Sequence, residues 1–139
     1  MTPSQLIGYS LAQTSAITAI VSIRIFAGNR ISSGTANTVI LPAINYFDLP
    51  GGTRQNGIES VTYTINNRAK DKATADQLAR LEVDLFHGTA STGIYGTVNN
   101  FSVARASLKN LQGSIFESAE QCYNCPVDIQ LIYASSTIS

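Results

Sequence analysis

The sequence predicts an α+β domain: a small, mostly antiparallel sheet of about four to five strands, with an N-terminal helix and a central amphipathic helix packed on one face. Three observations carry this. Residues 58–67 alternate Val61, Tyr63 and Ile65 with Thr62, Thr64 and Asn66, a period-two pattern rich in β-branched and aromatic residues that buries one strand face and leaves the other wet. Ala75, Leu78, Leu81 and Leu85 then recur at helical spacing, with Thr74 and Gln77 placed as a capping box and Gly88 just past the end. Near the C-terminus, Tyr123, Cys125, Val127, Ile129, Leu131 and Tyr133 alternate with Asn124, Pro126, Asp128 and Gln130, the cleanest strand pattern in the chain.

The remaining elements follow in order. Thr2 can cap a first helix with Pro3 at its first position, and Leu6, Ile7, Leu11 and Ala12 mark its apolar stripe. Thr14 or Ser15 can open a second short helix over residues 16–20, after which 22–26 turns extended. Residues 28–37 are rich in Gly, Ser, Asn and Thr and read as a long flexible loop. Residues 39–49 form the next strand, with Pro42 suggesting an edge or a strand start. Residues 50–57 make an eight-residue hairpin loop ending in an Asn56-Gly57 turn signal. On the central helix, Asp76, Arg80 and Asp84 follow one another at i,i+4 on the exposed side. Residues 89–100 are small and polar and read as irregular, 101–108 as a strand and 110–121 as a further loop.

With 139 residues the chain fits one domain over residues 1–139, long enough to bury about two-thirds of its unfolded surface without a metal or disulfide. Nine basic and nine acidic residues cancel, and charged residues are 13% of the chain, so the electrostatic footprint of phosphate-backbone binding is missing. Residues 6–25 are too interrupted by polar side chains and Arg24 to span a bilayer, and Met1-Thr-Pro-Ser-Gln5 has no basic n-region, so the expectation is a soluble, cytosolic product. The Asn100-Phe-Ser102 sequon is then a chance match.

The chemical motifs are weak. Cys122-Tyr-Asn-Cys125 has redox spacing, but that chemistry needs the first thiol at a helix N-terminus, and here a strand follows. A structural zinc site needs four ligands, and beyond the two thiols the chain offers His87 alone among histidines. Gly52-Thr-Arg-Gln-Asn-Gly57 has phosphate-loop glycine spacing, yet Ile58-Glu59 stands where Lys and Ser/Thr belong. His87 is expected to serve the C-terminal dipole of its helix. Asp48, Glu59, Glu82, Asp84, Glu117 and Glu120 can pair only through the tertiary fold, and the six tyrosines read as core rims, since no basic residues interleave with them. No catalytic, cofactor-binding or metal residue is assigned, and no cofactor.

Four stretches together resemble a known family: the leading helix ending before Arg24-Ile-Phe-Ala-Gly28, the strand around Leu41-Pro-Ala-Ile-Asn-Tyr46, the strand-turn-helix of residues 58–88, and the closing strand 127–133. In order and local detail they are similar to the tail-completion, or tail-terminator, family of long-tailed, siphovirus-like bacteriophages. The chain departs from that pattern in its longer polar segment 89–100 and in Cys122 and Cys125. The resemblance implies a non-enzymatic virion protein, assembled in the host cytoplasm, that forms a homo-oligomeric ring, typically a hexamer, at the head-proximal end of the tail tube. Such a ring ends tube polymerisation and joins the tail to the neck. Its implied partners are further copies of itself, the tail tube protein and a neck or head-completion protein, with no membrane and no sequence-specific nucleic acid. A heterologous interface closes into a ring when its rotation closes, and a lumen that passes DNA should not grip it, which suits zero net charge. Arg30, Arg54, Gln55 and Asn56, in loops 28–37 and 50–57, are the candidate protein-contact residues, with loop 110–121 beside them. The competing readings are a neck adaptor or stopper, and a small α+β enzyme or ligand-binding domain whose site would show two facing carboxylates or His87 beside a nucleophile.

Overall fold

The computed structural model describes residues 2–28, 40–87, 96–98, 101–118 and 120–134. Their elements are, in chain order, α1 (Pro3–Gln13), α2 (Ser15–Val21), β1 (Ile25–Ala27), β2 (Ala43–Asp48), β3 (Thr53–Gln55), β4 (Ile58–Ala69), α3 (Lys72–Phe86), β5 (Gly96–Val98), β6 (Phe101–Leu111), β7 (Ile115–Glu117), β8 (Cys122–Asn124) and β9 (Val127–Ala134). All nine strands join one sheet, in the order β1-β2-β4-β9-β6-β5, and every pairing is antiparallel except β1 with β2. The α+β class, the N-terminal helix and the central helix are as the sequence predicts. The strand count is higher than four to five, because β3, β5 and β7 are three residues each and lie in segments read as loops. Three-residue strands carry too little alternation to stand out from polar, Gly-containing sequence; tertiary pairing makes them.

β4 is the spine. At 12 residues it is longer than any neighbour, and each flank is shared by two strands. On one side β2 pairs residues 63–68 and β3 pairs 58–60; on the other β9 pairs 58–65 and β8 pairs 68–69. The expected alternation of a buried and a wet face is not found: Ile58 is exposed, residues 59–62 are all half-buried, and Tyr63, Thr64, Ile65, Asn66 and Asn67 are buried in succession. Thr64 donates to Asp128 Oδ1 at 2.8 Å across the strand pair, so the polar face is closed by partners rather than water. The closing strand is likewise not continuous. Pro126 has no N–H to give a ladder, and β8 and β9 part at Cys125 and Pro126, with Cys125 N donating to Asn67 O at 3.0 Å.

The helices begin where side chains satisfy their free N–H groups. Thr2 and Gln5 form a full capping box on α1: Gln5 N donates to Thr2 Oγ1 at 3.2 Å and Thr2 N to Gln5 Oε1 at 2.9 Å. Leu6, Ile7 and Leu11 are buried as expected, while Ala12 is exposed and Ser10 takes a buried place. A Cβ at Gly8 would overlap the Tyr46 hydroxyl, so the missing side chain lets β2 sit against α1. The start of α3 is a correction: the cap is Asp71, three residues before Thr74, and its carboxylate accepts from Thr74 N at 2.9 Å and from Thr74 Oγ1. A carboxylate both accepts strongly and complements the positive helix end, so it outcompetes a threonine hydroxyl. Asp76 pairs with Lys72 at 2.8 Å, one turn before it, rather than with Arg80.

The core runs from Leu6, Leu11, Ile17 and Val21 of α1 and α2 through Ile44 and Ile65 to Leu78, Phe86, Ile129 and Leu131. Leu78 is fully buried. Urea unfolding of Leu78→Ala should therefore show a loss of about 2–5 kcal/mol with an unchanged m-value, whereas Asp71→Ala should cost about 1 kcal/mol.

Candidate contact surface

The β3–β4 hairpin turns on Asn56 and Gly57, both at positive φ (54° and 78°), the geometry of a type I′ turn, for which Asn-Gly is the favoured pair. The expected eight-residue loop is thus a two-residue turn on a short strand, with residues 49–52 bridging back to β2. There Leu49 N donates to Thr62 O at 2.8 Å. A Cβ on Gly52 would sit 2.6 Å from the Ser60 carbonyl oxygen, so the two strands approach because that position is glycine. Arg54 stands opposite Glu59 and pairs with it, Nε to Oε1 at 3.2 Å, while staying 74% exposed; Thr53 and Ser60 share a hydrogen bond at 2.6 Å. Gln55, Asn56 and Ile58 complete an exposed tip. Glu59 also holds the Tyr133 phenol, whose burial in the first place, and this carboxylate in the second, push it above its ordinary range. Of the expected contact residues, Arg54, Gln55 and Asn56 are together on this tip, and Arg30 lies outside the described residues.

A second projecting region joins β6 to β7, inside the segment read as a loop. Leu111, Ile115 and Phe116 are each about half exposed, and Phe116 meets Tyr123 edge-on, ring centroids 5.2 Å apart at 67°. Behind it a groove of about 340 Å³ runs between α3 and residues 111–114. In it Asp76 bridges Lys72 and Ser114, which lowers its pKa through both bonds. A larger groove of about 600 Å³ lies between α1, α2 and β1, with Tyr9, Ala12, Ile23 and Tyr46 in its wall.

Arg68 ties three elements on the sheet face away from α3. Its Nε is 2.8 Å from Glu117 Oε1 and 3.4 Å from Glu120 Oε2, and a terminal nitrogen donates to Asn45 Oδ1 at 2.6 Å. The sequence left Glu117 and Glu120 scattered; the fold brings them together, with ligand atoms of Glu117, Glu120 and Cys122 within 4.8 Å of one another. The guanidinium already supplies the positive charge there. Burial first, then these two carboxylates, push the Cys122 thiol up to about 11, so at neutral pH it is a thiol, unsuited to metal ligation or redox attack. Cys125 is shifted the same way by burial, and both cysteines are free and buried, as packed thiols.

His87 caps α3, but its Nδ1 accepts from Leu108 N at 2.9 Å. That corrects the expected dipole role: a ring nitrogen used as acceptor ties the helix end to β6. Of the six tyrosines expected at the core rim, Tyr46, Tyr63 and Tyr133 are buried, Tyr123 is half-buried, Tyr9 is exposed and Tyr95 lies outside the described residues; burial pushes the Tyr63 phenol up to about 12. Sequence reasoning missed Glu82, which is fully buried on α3. The signal was there, since 78, 82 and 86 lie four apart on the stripe of Leu78 and Phe86.

No protein family and no curated protein matches the chain. Among solved structures, a chain of the "Virion of native gene transfer agent (GTA) particle" is similar, with a TM-score of 0.65 and 9% identity over 91% of this chain and 90% of that one. The likeness is one of fold. It runs through nearly the whole of both chains. Among the described residues, no helix is long and apolar enough to cross a membrane.

The thiols offer a direct check. With a pKa of about 11, the thiolate fraction of Cys122 at pH 8 is roughly two orders of magnitude below that of an ordinary cysteine. Disulfide-reagent labelling of the folded protein at pH 8 should be at least about 100-fold slower than in guanidinium.

Proposed function

We propose that the chain is a structural subunit of a phage-like virion, and that it forms a closed ring, typically of six copies, at the head-proximal end of the tail tube. There it ends tube polymerisation and joins the tail to the neck. The observation that carries this is the fold likeness to a virion chain at 91% and 90% mutual coverage, which agrees with the resemblance of the sequence to tail-terminator proteins. The chemistry supports a non-enzymatic role: the His87 acceptor nitrogen is committed to Leu108, the paired carboxylates are neutralised by Arg68, and the thiols are held protonated.

In this reading the subunit contacts its neighbours and the tube through the projecting parts of the sheet. Arg54, Gln55 and Asn56 at the hairpin tip are the proposed contact residues, with Arg30 in the segment that precedes β2. Leu111, Ile115 and Phe116 offer apolar area at the other projection. A ring needs two different patches that meet head to tail, and two separate projections meet that need.

Light scattering on the purified protein should give one discrete oligomer, and electron microscopy should show it on one end of purified tail tubes. A monomer that leaves tubes uncapped would falsify the proposal. Binding to neck proteins without tubes would move the role to an adaptor or stopper. Gln55→Glu and Phe116→Ser should each leave unfolding stability within about 0.5–1 kcal/mol while reducing the oligomeric fraction.

A further inference from the structure

Glu82 and Asn67 form a buried polar contact in which the count of donors and acceptors is informative. Both side chains are fully buried. Asn67 Nδ2 donates to Glu82 Oε1 at 2.7 Å and to Cys125 O at 3.0 Å, so both of its hydrogens are used. Its main chain is equally committed: Asn67 N donates to Asn124 Oδ1 at 3.1 Å and Asn67 O accepts from Cys125 N at 3.0 Å. Turning the amide over would set its oxygen against the Cys125 carbonyl, so the orientation is fixed by its partners. Two buried oxygens then remain without a donor, Asn67 Oδ1 and Glu82 Oε2. Leaving either one dry and unpaired is costly, and an ionised carboxylate in that position more so. One proton on Oε2 satisfies both, because a carboxylic acid facing a primary amide can exchange two parallel hydrogen bonds with it.

We propose that Glu82 is a neutral carboxylic acid whose Oε2–H is donated to Asn67 Oδ1, and that this proton-held pair clips α3 onto the step between β8 and β9. When the proton leaves to solvent, the second bond is lost and a bare charge is left in the core, so the clip loosens. Burial pushes the Glu82 carboxyl well above its ordinary range, with the Asn67 bond acting weakly the other way.

Among the described residues, no cation is paired with Glu82. The Cys125 thiol, beside the step, is coupled to Glu82 and is itself held neutral. On β4, Arg68 follows Asn67 and so points to the opposite face, where Glu117 and Glu120 hold it. Tyr63 is engaged by Ser4 and Glu59 by Arg54. On β9, Asp128 is bonded to Thr64 and Tyr133 to Glu59; on β8, Tyr123 packs on Phe116. Arg105 and Lys109 of β6 are exposed, and α2 carries no titratable side chain. On α3 itself, Lys72 and Asp76 are paired with each other, Arg80 and Asp84 are exposed, and His87 is bonded to Leu108.

A carboxyl whose folded pKa is raised contributes its stability fully below the unfolded value and loses it as pH climbs towards the folded one. Glu82→Gln keeps the ring, with an N–H in place of the O–H, and removes the titration. The ratio of folding constants, wild type over Glu82→Gln, should therefore fall about tenfold per pH unit above about pH 4.3, levelling only beyond the folded pKa. Parallel stability profiles for the two proteins from about pH 5 to about pH 8 overturn the proposal. Should Glu82→Gln fail to fold, the wild type decides alone: of its four glutamates, one side-chain carboxyl ¹³C resonance stays at its protonated position at pH 7. Titration of all four in the ordinary carboxylate range overturns it.

Discussion

The structure depends on one mismatch: β4 runs unbroken for 12 residues, while the line of β8 and β9 beside it is interrupted at Cys125 and Pro126. Pairing with β9 runs to Ile65 opposite Val127 and resumes with β8 at Arg68 opposite Asn124. Between them, two residues of β4 face Cys125 and Pro126, where the ladder fails for want of an N–H. Backbone groups stranded there would be buried and unpaired, which folded chains avoid. Three asparagines answer the need. Asn67 bonds Cys125 through both its carbonyl and its side chain, Asn124 reaches Asn67 N, and Asn124 Nδ2 donates to Asn66 Oδ1 at 3.1 Å. Side-chain amides thus replace the missing rungs.

The break has structural consequences on both faces. Beyond the break, β7 pairs with β8 while β6 pairs with β9, and Leu111, Ile115 and Phe116 near the β6–β7 turn are about half exposed. On the helix face the same step receives Glu82 of α3; on the other, Arg68 gathers Asn45, Glu117 and Glu120. A one-residue alternation along β4, Asn67 inward and Arg68 outward, therefore connects the core amide cluster to a surface ion cluster. The hairpin at the opposite end of β4 is independent of all this. It rests on the Asn56-Gly57 turn and on Gly52, and in its charged pair Arg54 is exposed while Glu59 is half-buried.

Legibility followed period and length. The strand-helix unit of β4 and α3 stood out because Val61, Tyr63 and Ile65 and then Ala75 and Leu78 keep period long enough to be counted, and the closing alternation of β9 likewise. Its interruption was hidden, since Tyr123 and Cys125 continue the same alternation and only the missing N–H of Pro126 separates the two strands. The start of α3 was misplaced because Thr74 with Gln77 fits the capping pattern as well as Asp71 with Thr74 does; the choice is made by acceptor strength. The turn at Asn56-Gly57 was legible from Asn-Gly alone, whereas β3, with Arg54 and Gln55, was not, being too short to show a period. The meeting of Glu117 and Glu120 on Arg68 was not, because it joins residues about fifty positions apart through pairings that no local pattern encodes.

A fold shared at 9% identity over nine-tenths of both chains is a statement about burial pattern and strand pairing, since so few side chains coincide. Such a pattern constrains the inside, which in this chain means apolar positions on one face of β9, a capped helix and a glycine where β4 is approached closely. It constrains the outside weakly, because most surface substitutions change stability by under about 0.5 kcal/mol. Surface features are then the part of this chain that a shared fold leaves open. The exposed apolar group of Leu111, Ile115 and Phe116 is such a surface feature, and leaving it in water is unfavourable for an isolated chain. An assembly in which a neighbouring subunit covers it would remove that cost.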